Sequence, residues 1–300
     1  MTLSELRYIV ALAQERHFGH AADRCFVSQP TLSVAIKKLE SELGVPLFER
    51  SKSSVQVTPL GERIVAQAQK VLEEAKCLED IARSGKDQLN GPLKIGAIFT
   101  VGPYLFPHLI PEVQNLAPNM PLYVEENYTG VLRRKLRDGE LDVIIIALPF
   151  TEPDVLTKAL YEEPFMVLMP GQHAWAKQKR IDPNQLVNED LLLLGEGHCF
   201  RDQVLEICPA IAKRRNPKLN AITEGSSIET LRHMVASGIG LTILPQSAMG
   251  HSTYKAGLLE ARPFEKPVPT RTVAVAWRTS FPRPKAIDVI TQAASLCRLF

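Results

Sequence analysis

Between Leu60 and about Lys86 the chain carries no proline, and small or apolar residues recur at 61, 64, 68, 71, 75, 78 and 82, in alternating steps of three and four. That spacing is the seam of two packed helices, so the segment predicts one long helix. Ile64, Val71 and Leu78 give the seam bulk, and Ala68, Ala75 and Ala82 allow close approach. Flanked by a small domain on one side and the breaker Asn90-Gly91-Pro92 on the other, such a helix has little to bury itself against in its own chain. Pairing with the same helix of a second subunit is therefore expected. The helix divides the chain into residues 1–58, a linker at 59–89 and a larger region at 90–300.

Ahead of the linker, the stretch from Leu3 to Arg16 has apolar residues at 3, 6, 9, 10, 12 and 13, and a short Ala-rich segment follows, which gives two short helices. A third is marked by Ser28 as a cap, Pro30 in the first turn and Gly44 as the left-handed stop. Its core stripe is Leu32, Ala35, Ile36, Leu39 and Leu43. The opposite face carries Pro30, Ser33, Val34, Lys37 and Ser41, a small, polar and basic surface of the kind that enters a major groove. Two short β-capable runs around Lys52-Ser53-Ser54 then resemble the hairpin wing that follows many helix-turn-helix units. Residues 1–58 hold seven Lys or Arg against six Asp or Glu, so any basic surface here is one face and not the whole module.

After Pro92 the texture alternates between strand-like runs, such as Leu93–Phe99, Leu141–Leu148, Phe165–Pro170 and Arg271–Trp277, and helical segments. Parallel sheets fit that alternation. Two short sheets with a cleft between them would put ligand contacts at the carboxyl ends of the strands.

Three hundred residues at 45% hydrophobic and 23% charged is soluble globular composition of about two domains. The apolar run at 143–148 is far shorter than the roughly 18 to 20 residues of a membrane span, and the first 20 residues hold no signal-peptide core, so a cytoplasmic protein is expected. Five cysteines (Cys25, Cys77, Cys199, Cys208 and Cys297) are an odd number at irregular spacing, which argues against a structural disulfide framework. The histidines form no i, i+4 pair and no Cys/His cluster, so neither a metal nor another cofactor is expected. No dinucleotide-binding, P-loop or nucleophile-elbow motif occurs. A net charge of +2 says nothing about partners.

The run from Ala21 to Arg50, with Ala22, Ser28, Gln29, Pro30, Ser33, Ile36, Leu39, Glu40, Leu43, Gly44, Leu47, Phe48 and Arg50, followed by Thr58 and Gly61, resembles the signature of LysR-type transcriptional regulators. The resemblance covers the whole chain, including residues 226–245. It implies a winged helix-turn-helix, a linker helix that makes a homodimer, and an α/β effector domain similar to periplasmic binding proteins. Its first subdomain would be about 90–164 with 267–300, and its second about 165–266. Gln29, Pro30, Thr31, Ser33 and Lys37 become candidates for groove contacts, and Arg50 and Lys52 for phosphates. The implied partners are a double-stranded DNA operator, RNA polymerase and further copies of the chain, up to a homotetramer.

Within that family, residues 195–208 look like the hydrogen-peroxide sensors. This likeness implies that Cys199 reacts with peroxide and Cys208 resolves it, with a cellular thiol as reductant. It places Thr100, Thr129, His198, Asp202, Gln203 and Arg271 at the peroxide. Chemistry gives independent reasons. Cys199 follows two glycines at the expected start of a helix, where the dipole favours negative charge, with His198 and Arg201 beside it in sequence. In one continuous helix the Cα atoms of residues 199 and 208 would lie about 13 Å apart, whereas a disulfide needs roughly 4.4 to 6.8 Å, so bond formation requires unwinding. Thr100 and Thr129 read equally well as helix caps, whereas Arg271, at the opening of a strand, reads as a surface charge or as the cation stabilising the thiolate. Two rivals remain: a regulator that binds a small organic effector in the cleft, and a thiol peroxidase, which would leave the first 90 residues unexplained.

Overall fold

The computed structural model describes residues 1–50, 55–84, 87–207, 224–249, 254–255 and 257–300. The chain separates into two compact units, Met1–Gly85 and Lys86–Phe300.

The first unit is built from local signals. Helix α1 (Leu3–Glu15) opens on a capping box between Thr2 and Glu5. Helix α2 (Phe18–Arg24) is capped by His17, whose Nδ1 accepts from the His20 amide. Helix α3 (Gln29–Leu43) is capped by Ser28 and stopped by Gly44 at φ 71°. A hairpin follows, β1 (Phe48–Arg50) antiparallel to β2 (Val55–Val57), and then α4 (Pro59–Ser84). Ile9, Leu12, Ala21, Leu32, Ile36, Leu39 and Leu47 form the core. Full burial of each leucine or isoleucine among them stabilises by about 1.5 to 3 kcal/mol.

Two readings of this unit change. Leu43 is exposed, because the helix ends there and the chain turns away at Gly44. The long helix does find partners in its own unit: Val65 and Ala68 are buried in the same core and α4 packs on α1. Farther along it carries uncovered apolar groups, with Val71 at 38% and Leu78 at 69% exposure.

In the second unit the strands are β3 (Leu93–Ile98), β4 (Leu122–Asn127), β5 (Val143–Ala147), β6 (Val155–Pro170), β7 (Leu191–Leu194), β8 (Glu224–Gly225), β9 (Leu241–Pro245), β10 (Leu259–Pro263) and β11 (Thr270–Arg278). The helices are α5 (Gly102–Leu116), α6 (Thr129–Arg137), α7 (Cys199–Ile207), α8 (Ile228–Ala236) and α9 (Pro284–Leu296). The strand order is β4-β3-β5-β11-β6-β9-β7-β8, with β10 also on β6.

The sheets are mixed, not parallel: β3 is parallel to β4 and β5, but β11 runs antiparallel to both its neighbours, and β9 and β10 are antiparallel to β6. Strand β6 belongs to both halves. Residues 155–164 pair with β11, and from Phe165 onward the strand pairs with β9 and β10. Pro164, which has no amide to donate, stands where one ladder ends and the other begins. Each half has its own core, one around Ile95, Leu105, Ile145 and Val275, the other around Phe165, Leu192, Phe200 and Ile243.

Candidate functional site

Cys199 is the first residue of α7, directly beyond β7 and the turn at 195–198. Gly197 sits at φ 93°, in the left-handed region, and a Cβ there would meet the Tyr128 ring at 3.2 Å. The turn is thus shaped for glycine, and it swings His198 inward. The His198 ring lies 4.7 Å from the Tyr128 ring and 6.1 Å from that of Phe99, centroid to centroid. Its Nε2 lies 3.3 Å from the Ser226 carbonyl, an acceptor only, so the proton is on Nε2. Burial pushes the His198 pKa below the usual imidazole value, which keeps the ring neutral.

The two cations that flank the cysteine in sequence therefore do not supply a free positive charge. His198 is uncharged. Arg201 turns back to the Leu194 carbonyl at 2.8 Å and pairs with Glu224 at 2.7 Å. The cysteine itself is half-buried and packs against the core of the first subdomain, while its neighbour Phe200 belongs to the second. The thiol thus sits at the seam between them.

The cation that does reach α7 is Arg271. It is buried in β11, with its guanidinium carbon 5.2 Å from the Phe200 ring centroid. Its Nη1 donates to Thr100 Oγ1 and its Nη2 to the Thr100 carbonyl, both at 2.9 Å, while its Nε donates to Glu163 Oε2 at 2.8 Å. The surface-charge reading of Arg271 is overturned. Glu163 was not singled out from the sequence, and nothing local marks it: it is one acid among polar strand residues. Its other oxygen, Oε1, accepts from the Ser247 amide at 2.9 Å.

Neither threonine is a cap. Helix α5 begins two residues beyond Thr100, and the residue ahead of α6 is Tyr128, with no side-chain cap at either end. Thr100 is committed to Arg271. Thr129 Oγ1 is buried without a hydrogen-bond partner, and so is Gln203 Oε1, although Gln203 Nε2 donates to the Leu148 carbonyl at 3.2 Å. Gln203 is four residues on from Cys199 and shares its helix face. Asp202 is exposed in the first turn of α7, where its charge suits the helix dipole. A cavity of about 330 Å³ opens beside this cluster, walled by Phe99, Thr100, Tyr104, Glu126, Tyr128 and His198 among others.

Cys208 and Lys52 lie outside the described residues, as does the side chain of Arg50, whose backbone pairs with Val55. Burial raises the pKa of Cys25, and that of Cys297 to about 11, which keeps both thiols protonated. Cys77 is half-buried on α4. Among the described residues no group of His, Cys, Asp and Glu is arranged to hold a metal ion. Nor is any helix among them long and apolar enough to cross a membrane. On α3, Gln29, Pro30, Thr31 and Lys37 are exposed and Ser33 is half-buried. The Thr31 hydroxyl lies 2.7 Å from Ser28 Oγ and so is shared with the cap.

Residues 3–62 match the family model for the bacterial regulatory helix-turn-helix protein, lysR family, and residues 86–295 match the LysR substrate binding domain. The chain is 39% identical over 293 residues to the DNA-binding transcriptional dual regulator OxyR of Escherichia coli K12, covering 98% of this chain and 94% of that one. Among solved structures, full-length OxyR C199D from Pseudomonas aeruginosa is 62% identical with a TM-score of 0.79, over 100% of this chain and 96% of that one. A hydrogen-peroxide-bound cysteine-to-serine mutant of OxyR from Corynebacterium glutamicum is 34% identical with a TM-score of 0.65, over 98% and 91% of the two chains.

Proposed function

Because this chain belongs to the LysR family of regulators and, within it, to the OxyR proteins, we propose that it is a DNA-binding transcriptional regulator switched by hydrogen peroxide. The Cys199 thiolate attacks one peroxide oxygen. A sulfur–oxygen bond forms, the oxygen–oxygen bond breaks, and hydroxide leaves and takes up a proton as water. Sulfur is oxidised by two electrons and peroxide is reduced. The Cys208 thiolate then attacks the sulfenic sulfur, the disulfide forms as the sulfur–oxygen bond breaks, and hydroxide leaves and takes up a proton as a second water. A cellular dithiol returns both cysteines to thiols and is itself oxidised to a disulfide, so the protein is a reporter and not an enzyme.

The observation that carries this reading is the pair of buried, unpartnered polar atoms, Gln203 Oε1 on the helix that bears Cys199, and Thr129 Oγ1, next in sequence to Tyr128, whose ring packs on Gly197 and His198 just ahead of that cysteine. Buried polar groups are nearly always satisfied, and orphans of this kind suit a small ligand that donates and accepts. Peroxide is such a ligand. Thr100, Arg271 and His198 complete its surroundings, with Asp202 at the rim.

On the DNA side, Gln29, Pro30, Thr31, Ser33 and Lys37 meet the operator groove, and Arg50 and Lys52 hold phosphates. The exposed seam of α4 pairs two chains, two such pairs make a tetramer, and the complex acts on RNA polymerase in the cytoplasm. The domain limits are 1–58, 59–89 and 90–300. Thiol mass spectrometry before and after stoichiometric peroxide, read beside DNA footprinting, tests the reading. Cys199 and Cys208 should become linked and the footprint should change. A footprint that changes equally in a Cys199→Ser variant would sink it.

A second reading is favoured by the cavity of about 330 Å³, which is large enough for a small organic effector. In that case the regulator would respond to such a compound with its cysteines incidental, and the Cys199→Ser variant would keep its response.

A further inference from the structure

Glu163 holds no place in the peroxide chemistry described above, yet it is buried completely at the point where β6 passes from one sheet to the other. We infer that Glu163 is a positioning residue for the reaction at Cys199: it fixes the orientation of Arg271 and cancels its charge. What the site then receives from Arg271 is one directed N–H and not a free cation. This rests on the peroxide reading above.

Counting donors leads to this inference. A guanidinium has five N–H groups. The Nε–H goes to Glu163 Oε2, one Nη2–H goes to the Thr100 carbonyl, and the second faces Glu163 Oε2 at 2.7 Å. One Nη1–H goes to Thr100 Oγ1, which leaves the other Nη1–H for a ligand. The Phe200 ring covers the guanidinium at 5.2 Å. Glu163 sets the edge, Thr100 sets the opposite end and Phe200 limits tilt. Removing the carboxylate would free the plane to rotate.

The carboxylate is itself held, since Ser247 donates to Oε1 from the second subdomain while Arg271 approaches Oε2 from the first. The geometry around the cysteine therefore depends on how the two subdomains meet. The other titratable or charged groups near this hub are Tyr161 on β6, whose pKa is raised first by burial and then by Glu163, and His198, kept neutral by burial. Arg201 and Asp202 lie on α7 and Glu126 on the cavity wall.

The test is the rate of Cys199 oxidation by hydrogen peroxide in the full-length protein, followed by mass spectrometry with a sulfenic-acid trap across a pH series. Glu163→Gln keeps the shape and removes the charge. Its plateau rate should fall at least about tenfold through lost orientation. The pH of half-plateau should drop by roughly one unit, because an uncancelled guanidinium favours the thiolate. Glu163→Asp keeps the charge but draws it back by one methylene, so it should restore the half-plateau pH and only part of the rate. If Glu163→Gln merely lowers the melting temperature, with rate and pH profile unchanged, Glu163 is a structural staple and the inference is overturned. If Glu163→Gln does not fold, Glu163→Asp decides: a reduced rate at an unmoved half-plateau supports the inference, and an unchanged rate overturns it. Unmodified protein oxidised no faster than free cysteine would overturn the peroxide reading itself.

Discussion

Arg271 and Glu163 face each other across the ladder between β11 and β6, 2.7 Å apart, with neither side chain exposed to solvent. Two charges removed from water this completely are held by each other and by Thr100 and Ser247. Arg271→Ala would leave the carboxylate buried and uncompensated, and should cost about 3 to 5 kcal/mol in chemical unfolding. The double change Arg271→Met with Glu163→Leu removes both charges and should recover most of that loss. Additive single and double values would show that the two residues do not act as a unit.

His198 gives the site a pH dependence of known sign. Burial lowers its folded-state pKa below the ordinary 6.5. Well above pH 6.5 the ring is uncharged whether the chain is folded or not, so it contributes no pH dependence there. As pH falls below about 6.5 the unfolded chain takes up the proton first, and stability is lost as the pH descends through the folded value. Urea midpoints at about pH 7.5 and about pH 5 should differ more in the unmodified protein than in His198→Gln. An equal difference in the two would assign the acid sensitivity to other groups.

Gln29, exposed on α3, and Arg50, the last residue of β1, should act differently on DNA. Gln29→Ala should cost about 1 to 3 kcal/mol on the preferred operator and relax base preference, as loss of a base-edge contact does. Arg50→Ala should weaken all sequences alike and reduce the slope of log affinity against log salt by about one. Titrations at several salt concentrations on matched and scrambled operators separate the two. A change in base preference from the arginine substitution would reverse the roles.

The uncovered part of α4 is expected to carry the subunit contact. Leu78 is 69% exposed and outside the core of its own unit, so Leu78→Asp should leave the unit folded. Placing a charge in an apolar seam should raise the dimer dissociation constant by about a hundredfold, or nearly 3 kcal/mol. Sedimentation velocity over a concentration series measures this. An unchanged oligomer would move the contact elsewhere.

The parts of this molecule legible in its sequence are those whose causes lie close together along the chain. Ser28, Pro30 and Gly44 mark α3 because a cap, a first-turn proline and a left-handed stop act within a turn of where they stand. The glycines before Cys199 likewise announce the turn into α7. Strand β6 was seen only from Phe165, since the polar residues before it and Pro164 look like a turn, and only the ladder with β11 makes them a strand. Glu163 was invisible for the same reason: its partners lie 84 and 108 residues away. Thr100 and Thr129 resembled caps because each follows a strand and stands near the start of a helix, but tertiary packing claimed one hydroxyl and buried the other.

Strand β11, residues 270–278, follows every other described strand in chain order, yet it occupies the middle of the sheet between β5 and β6. The first subdomain therefore stays open until residue 278 has been made, and its closure depends on contacts between distant residues, which form slowly. The helical unit that ends near residue 85 has no such delay and can be finished on the ribosome well before. A transcript broken ahead of residue 270 would thus release a complete DNA reader with no working sensor attached. In a cell, such a fragment would compete for operators while remaining deaf to the signal, which gives quality control a reason to remove unfinished copies.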